Sequence, residues 1–320
     1  MSTHNDRPTI RQLEYLVAVA DEGSFSRAAE RCFVSQPTLS GQVRLLESRI
    51  GQECFERTPR GVFVTPIGAE LIEHARKTIA AVDQFLGAAN AQTEPLVGRI
   101  RFGSVSTITP YLLPEVLAEL AIDYPELTIE LHDDVGERLV ERLMAGELDV
   151  ILGPLPLDLE GCVEFECGTD PFVVVAPADT PLGDLPEPIG LDALNDAKLI
   201  LLSDPHCIRG QALDVCAQAR CSEDRSLHAT SITALVQLVR QGLGATLLPT
   251  LSLELELRWL RDLRIKRFSD PAPGRKLGLI WRRQSPRHDD FERLGGILMK
   301  HTLAKTGEID LVSLNGALRE

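Results

Sequence analysis

The sequence predicts an α/β chain in three parts: a small, mainly helical head, one long helix, and a larger body of alternating strands and helices. Three observations carry this reading. At 320 residues the chain is longer than one hydrophobic core usually organises. Up to residue 65 the apolar residues recur at helical spacing behind Ser and Pro capping signals. From Gly98 onward short apolar runs alternate with helical patterns, as in layered α/β domains.

In the head, Leu13, Leu16, Val17 and Ala20 mark a first helix that Gly23-Ser24 ends. Phe25, Ala28, Ala29 and Cys32 mark a second. Ser35 is an N-cap and Pro37 a first-turn proline for a third helix, whose buried face is Leu39, Val43, Leu46 and Ile50. At about 100° per residue its opposite face carries Pro37, Ser40, Gly41 and Arg44, with Gln36 at the leading end. Residues 58–65, TPRGVFVT, read as a hairpin with an Arg-Gly tip. Thr65-Pro66 then opens the long helix. Along it Ile72, Ala75, Ile79, Val82 and Leu86 repeat at intervals of three and four, an apolar seam of about two heptads that predicts a dimer helix. The alternative is that the chain's own head covers this seam. Residues 87–95, GAANAQTEP, form a linker.

The body reads as strands over 100–105, 127–131, 148–152, 172–176, 199–202, 245–248 and 276–281. Helices are expected over 110–120, 137–145, 231–241 and 289–303, with one more from about Arg209. The length of this series suggests two linked α/β subdomains. The expected division is therefore 1–65 for the head, 66–94 for the linker helix and 95–310 for the body, with a tail over 311–320.

Taken whole, a formal net charge of −14 argues against a nucleic-acid partner. By region it does not. Residues 1–64 hold eight Arg, no Lys and eight acids, so all the net negative charge lies downstream. The longest apolar runs are four or five residues, too short to span a bilayer, and the polar stretch Met1 to Pro8 lacks the apolar segment of a secretory signal. A cytoplasmic protein without membrane association is expected. In that compartment the seven cysteines (32, 54, 162, 167, 207, 216 and 221) read mostly as buried thiols. Cys162 and Cys167 have no nearby His or Cys to complete a metal set, so neither a metal nor a cofactor is expected.

Two short helices, a capped third helix and a hairpin make a winged helix-turn-helix pattern, in which the third helix enters the major groove of double-stranded DNA. Gln36 suits adenine, and Thr38 and Ser40 suit bases or phosphates. Gly41 admits close backbone approach, while Arg44, Arg57 and Arg60 suit phosphates or the minor groove. Residues 10–75 resemble the N-terminal domain of LysR-type transcriptional regulators. The resemblance rests on Ser24-Phe25-Ser26-Arg27-Ala28-Ala29, Val34-Ser35-Gln36-Pro37-Thr38-Leu39-Ser40, Leu46-Glu47, Phe55-Glu56-Arg57 and Thr65-Pro66-Ile67-Gly68. It implies promoter DNA as partner, a homo-oligomer arranged as a dimer of dimers, contact with RNA polymerase, and a body resembling a periplasmic binding protein. In that fold the chain crosses between subdomains, here near Thr169–Pro171 and Ala272–Lys276. Subdomain I would then be about 95–169 and 276–310, and subdomain II about 170–275.

Residues 204–216, DPHCIRGQALDVC, carry the chemistry of the body. A thiol at a helix N-terminus beside His206 and Arg209 is expected to have a lowered pKa, and thiolate is the form that attacks peroxide. A second thiol such as Cys216 can resolve the sulfenic acid so formed. On spacing alone, the commoner reading of both cysteines is as buried core thiols. If they lie on one helix, nine residues separate them by about 13 Å, too far for a disulfide unless the helix unwinds. Residues 206–216, with 104–116 and 229–249, resemble the peroxide-sensing members of the same family. That resemblance implies hydrogen peroxide as signal, Cys207 as the reactive thiol and Cys216 as its disulfide partner. It also implies a pocket lined by Thr107, His132, His206 and Arg209. Gly136, Gly210 and Ser226 depart from the family's pattern. The alternative is a regulator whose small non-covalent effector sits between the subdomains against Ser104, Ser106 and Thr107.

Overall fold

Capping side chains start each helix of the head. The computed structural model describes residues 7–58, 61–90, 95–203, 207–227, 229–256 and 263–307. Thr9 and Gln12 form a capping box for α1, Ile10–Glu22, which ends at Gly23 with φ 58°. Ser24 caps α2, Phe25–Arg31, and Ser35 caps α3, Gln36–Ile50, through the Thr38 N–H. Strands β1, Phe55–Thr58, and β2, Gly61–Val64, pair antiparallel, and α4, Pro66–Asn90, follows. Leu13, Leu16, Val19, Phe25, Ala28, Leu39, Val43, Leu46 and Phe55 form the core of this unit. The buried stripe of α1 turns out to be Leu13, Tyr15, Leu16, Ala18 and Val19, because α2, α3 and α4 pack on more than one side of it; Val17 and Ala20 are half-buried.

The chain divides into two compact units, Met1–Glu94 with Met144–Glu147, and Pro95–Leu143 with Leu148–Glu320. The second begins with β3, Gly98–Val105, α5, Thr109–Asp123, β4, Leu127–Asp134, α6, Gly136–Met144, and β5, Val150–Leu155. Next come β6, Cys162–Pro177, a short α7, Pro181–Asp184, β7, Lys198–Leu199, α8, Cys207–Ala219, and β8, Ser222–Glu223. The chain continues through α9, Ile232–Arg240, β9, Thr246–Pro249, α10, Leu253–Glu256, β10, Leu263–Arg267, β11, Gly274–Arg282, and α11, His288–Thr306.

Strand β6 organises this body. Its first part pairs antiparallel with β11, which pairs with β5, and β5 and β4 flank β3 in parallel. From Phe172 onward the same strand pairs instead with β9 and β10. One strand therefore runs through two lobes. At the crossing, Pro171 lies opposite Gly274, Asp170 opposite Arg275 and Thr169 opposite Lys276. The backbones approach so closely there that a Cβ on Gly274 would stand 2.9 Å from Asp170 O and Pro171 Cα.

The hairpin begins at Phe55 rather than 58, α4 runs to Asn90 into the expected linker, the short α7, β8 and α10 were not expected, and three further strands differ from the sequence reading. β6 starts at Cys162 rather than near 172, because its first part mixes Glu164 and Glu166 with residues that pack under α11. β10 had no strong apolar signal, since Arg264, Lys266 and Arg267 alternate with its buried Leu263 and Ile265. The apolar run 199–202 is regular strand only at Lys198–Leu199, with single bridges from Leu199 to Ala245 and from Leu202 to Ala229 beyond it. Among the described residues, no helix is long and apolar enough to cross a membrane.

Candidate nucleic-acid interface and redox site

On α3, Gln36, Pro37, Thr38, Gly41 and Arg44 are exposed, so the predicted reading face is clear of the unit's own core. A Cβ on Gly41 would meet nothing within 4 Å, and no packing contact in this unit calls for a glycine there. Ser40 differs from expectation. It is buried, and its Oγ accepts a 3.0 Å hydrogen bond from Arg57 Nη1. The Arg57 guanidinium also lies over the Phe25 ring, 4.2 Å from its centroid, and near Glu47. Ser40 and Arg57 thus fasten the hairpin to α3 rather than standing free for phosphate. Arg60 lies outside the described residues.

The predicted seam of α4 is covered in part by its own unit. Ile72 and Ala75 are buried in the head core, and Ile79 packs on it. Their period identifies a buried stripe but not what buries it. Val82 is half-buried, and the side chain of Leu86 lies outside the described residues. Phe85, one position before Leu86, is 75% exposed.

In the body, α8 begins at Cys207, so the thiol stands at a helix N-terminus. Its partners come from the other lobe. Thr107, buried in the turn between β3 and α5, hydrogen-bonds to the Cys207 sulfur. Arg275 Nη1 donates to Thr107 Oγ1 at 3.0 Å, and Nη2 donates to Thr107 O at 2.9 Å. With a lone pair of the Thr107 hydroxyl engaged by Arg275, its proton is directed to sulfur. The Arg275 side chain is wholly buried and pairs with Asp170, Nε to Oδ2 at 3.0 Å and Nη2 to Oδ2 at 2.9 Å. Asp170 Oδ1 in turn accepts from the Leu251 N–H at 3.0 Å. A buried charge pair survives when such additional bonds satisfy both groups.

These groups oppose one another at the sulfur. Burial pushes the Cys207 thiol up from its ordinary value of 9.0. The Arg275 charge, the Thr107 hydroxyl and the Ile208 and Cys207 N–H groups pull it down, and burial prevails. The lowered pKa expected from a helix N-terminus is therefore not what the folded pocket gives. Arg209 does not supply the charge, because its Nε and Nη2 bind Glu223 at 3.0 and 2.8 Å. His132 hydrogen-bonds with Glu130 and Arg142, each at 3.2 Å, and none of its described hydrogen bonds reaches Cys207 or Thr107. His206 lies outside the described residues.

Cys216 is buried nearer the other end of α8. Burial, followed by its neighbour Cys221, pushes its thiol up to about 12. It is a thiol, not a thiolate, while the helix stands. At Gly210 an added Cβ would meet nothing within 4 Å, and at Gly136 it would meet Val105 in ordinary contact at 3.9 Å. The sequence reading missed Arg275 and Asp170 as the charge pair of the pocket. Their signal was slight: one basic and one acidic residue, each beside an apolar run at a crossing point.

The chain matches two family models in succession. Residues 10–69 match the bacterial regulatory helix-turn-helix protein, lysR family, and residues 93–302 match the LysR substrate binding domain. It is 40% identical over 293 residues to a Mycobacterium avium protein named "Probable hydrogen peroxide-inducible genes activator", covering 91% of this chain and 94% of that one. A full-length OxyR from Pseudomonas aeruginosa, a cysteine-to-aspartate variant, superposes with a TM-score of 0.75 at 30% identity, covering 95% of this chain and 99% of that one. A peroxide-bound cysteine-to-serine variant of Corynebacterium glutamicum OxyR gives 0.66 at 32% identity, covering 97% and 96%. With both domain models matched in order and relatives aligned along nearly its whole length, the chain belongs to the LysR family of helix-turn-helix transcriptional regulators and, within it, is similar to OxyR.

Proposed function

We propose that this protein is a peroxide-sensing transcriptional regulator in which Cys207 reacts with hydrogen peroxide and then forms a disulfide with Cys216. The observation that carries the proposal is the Cys207 thiol at the start of α8, held against Thr107 and Arg275 of the opposite lobe, with Cys216 on the same helix. The thiolate attacks one peroxide oxygen, the O–O bond breaks, and hydroxide leaves a sulfenic acid at Cys207. The Cys216 sulfur then displaces hydroxide to form the disulfide. Nine residues of α8 set the two Cα atoms about 13 Å apart along the helix axis, so the second step requires unwinding. Unwinding also exposes Cys216, which returns its pKa toward the ordinary value and makes it nucleophilic. A local covalent event thereby becomes a change in the fold between two lobes.

The head over residues 1–65 would read promoter DNA through α3, in the cytoplasm where that DNA is. Residues 66–94 would serve dimerisation, with exposed Phe85 at the partner contact, and paired dimers would present the altered body to RNA polymerase. The protein would spend one disulfide per signal and not turn over peroxide as an enzyme. A first prediction tests the chemistry. Cys207→Ser should abolish the reporter response to peroxide and leave operator binding unchanged in a gel-shift assay. Cys216→Ser should lose the reducible mobility change on non-reducing gels. A Cys207→Ser variant that still responds would leave the non-covalent effector reading in its place.

A further inference from the structure

The C-terminal end of α8 brings a second pair of thiols together. Arg220 follows the helix with φ 52°, in the left-handed region, and turns the chain back. The Cys221 N–H then donates to the Cys216 carbonyl at 3.1 Å. This six-to-one bond is that of a Schellman ending, which sets the residue after the left-handed position against the last turn of the helix. In this chain both residues of that contact are cysteines, and the Cys221 thiol lies close enough to the Cys216 thiol to help push its pKa up. Cys216 is buried and Cys221 half-buried, so solvent reaches the pair from the Cys221 side.

We propose that Cys216 and Cys221 form an exchange pair that moves the Cys207–Cys216 disulfide to Cys216–Cys221 and frees Cys207. This rests on the peroxide reading above. The Cys221 thiolate attacks Cys216 Sγ, the bond to Cys207 Sγ breaks, and Cys207 leaves as a thiolate with the electron pair. Hydrogen peroxide is the oxidant, reduced to two waters in making the first disulfide, and the exchange itself is redox-neutral. The two disulfides differ in what they ask of the helix. A Cys207–Cys216 bond is incompatible with a standing α8, whereas Cys216 and Cys221 already touch across its end. Refolding of α8 therefore drives the exchange forward. The reactive thiol is re-armed while one disulfide remains stored at the helix end.

Trypsin cleaves after Arg209, Arg220 and Arg225, which puts Cys207, Cys216 and Cys221 on three separate peptides. Reduced full-length protein and its Cys221→Ser variant would receive one equivalent of hydrogen peroxide, then acid quenching, alkylation and peptide mapping at intervals. The expected course is a Cys207–Cys216 linkage that gives way to Cys216–Cys221, with Cys207 becoming alkylatable again. In Cys221→Ser the first linkage should persist several-fold longer. In a second arm, diamide acting on Cys207→Ser should form the Cys216–Cys221 bond without any step at Cys207. A Cys207–Cys216 linkage that persists equally in both proteins, with Cys221 alkylatable throughout, overturns the exchange and leaves the peroxide reading intact. Absence of the bond in the diamide arm also overturns it. Absence of any Cys207 product in the wild type overturns the peroxide reading instead, and the route from Cys207 with it.

Discussion

Cys207 draws its electrostatic support from a side chain on another lobe, through a threonine. Arg275 engages both the carbonyl and the hydroxyl of Thr107, so the hydroxyl proton faces sulfur. Thr107→Val keeps the shape and removes that donor. Losing one hydrogen bond to a developing thiolate costs about 1–2 kcal/mol, so the second-order rate with peroxide should fall roughly tenfold in stopped-flow measurements. Burial holds the Cys207 thiol above 9.0, so the protonated form dominates below that pH. The rate should accordingly climb about tenfold per pH unit from 7 to 9, following the thiolate fraction; a plateau below pH 8 would mean that Arg275 prevails over burial. Cys207, Cys216 and Thr107 were legible because each lies in a local motif. Arg275 was not, since it meets Thr107 across 168 residues of sequence and only the pairing of β11 with β6 brings it there.

Among the elements, α3 separates folding from reading along its own surface. Leu39, Val43 and Leu46 hold it in the head, and Gly41 faces outward with open space around it. Gly41→Ala should therefore stabilise the protein by up to ~1 kcal/mol through helix propensity, seen as a raised Tm. The same change should weaken operator affinity, because the added methyl stands where DNA backbone would approach. Unchanged affinity would exclude close approach at that position. The capping residues Ser35 and Thr65 were readable from sequence because a cap acts within three residues of itself. The seam of α4 was readable only as a stripe. Period reports that Ile72 and Ala75 are buried, and the fold shows that part of their cover is the chain's own head.

At the scale of the whole molecule, the net charge of −14 is a regional matter. Even the arginine-rich head keeps few charges free for DNA. Arg11, Arg27 and Arg31 pair with Glu14, Glu22 and Asp21, and Arg57 is committed to Ser40 and the Phe25 ring. Each neutralised phosphate contributes about 0.9 to the slope of log affinity against log salt. The slope should therefore stay below roughly 4 per head in titrations from 50 to 200 mM salt. A much steeper slope would require phosphate contacts beyond those the head offers. The α/β class of the body was legible because strand and helix periods alternate through it. Its division was less so, because β6 looks like two unrelated segments when read along the chain.

That strand has a further consequence. A residue pair lost from β6 near Pro171 loosens the edge of one sheet and the central strand of the other at once, so neither lobe can melt while the other keeps its full complement of ladder bonds. The two lobes share one fate. Cutting the chain between them would not release two domains but ruin two sheets.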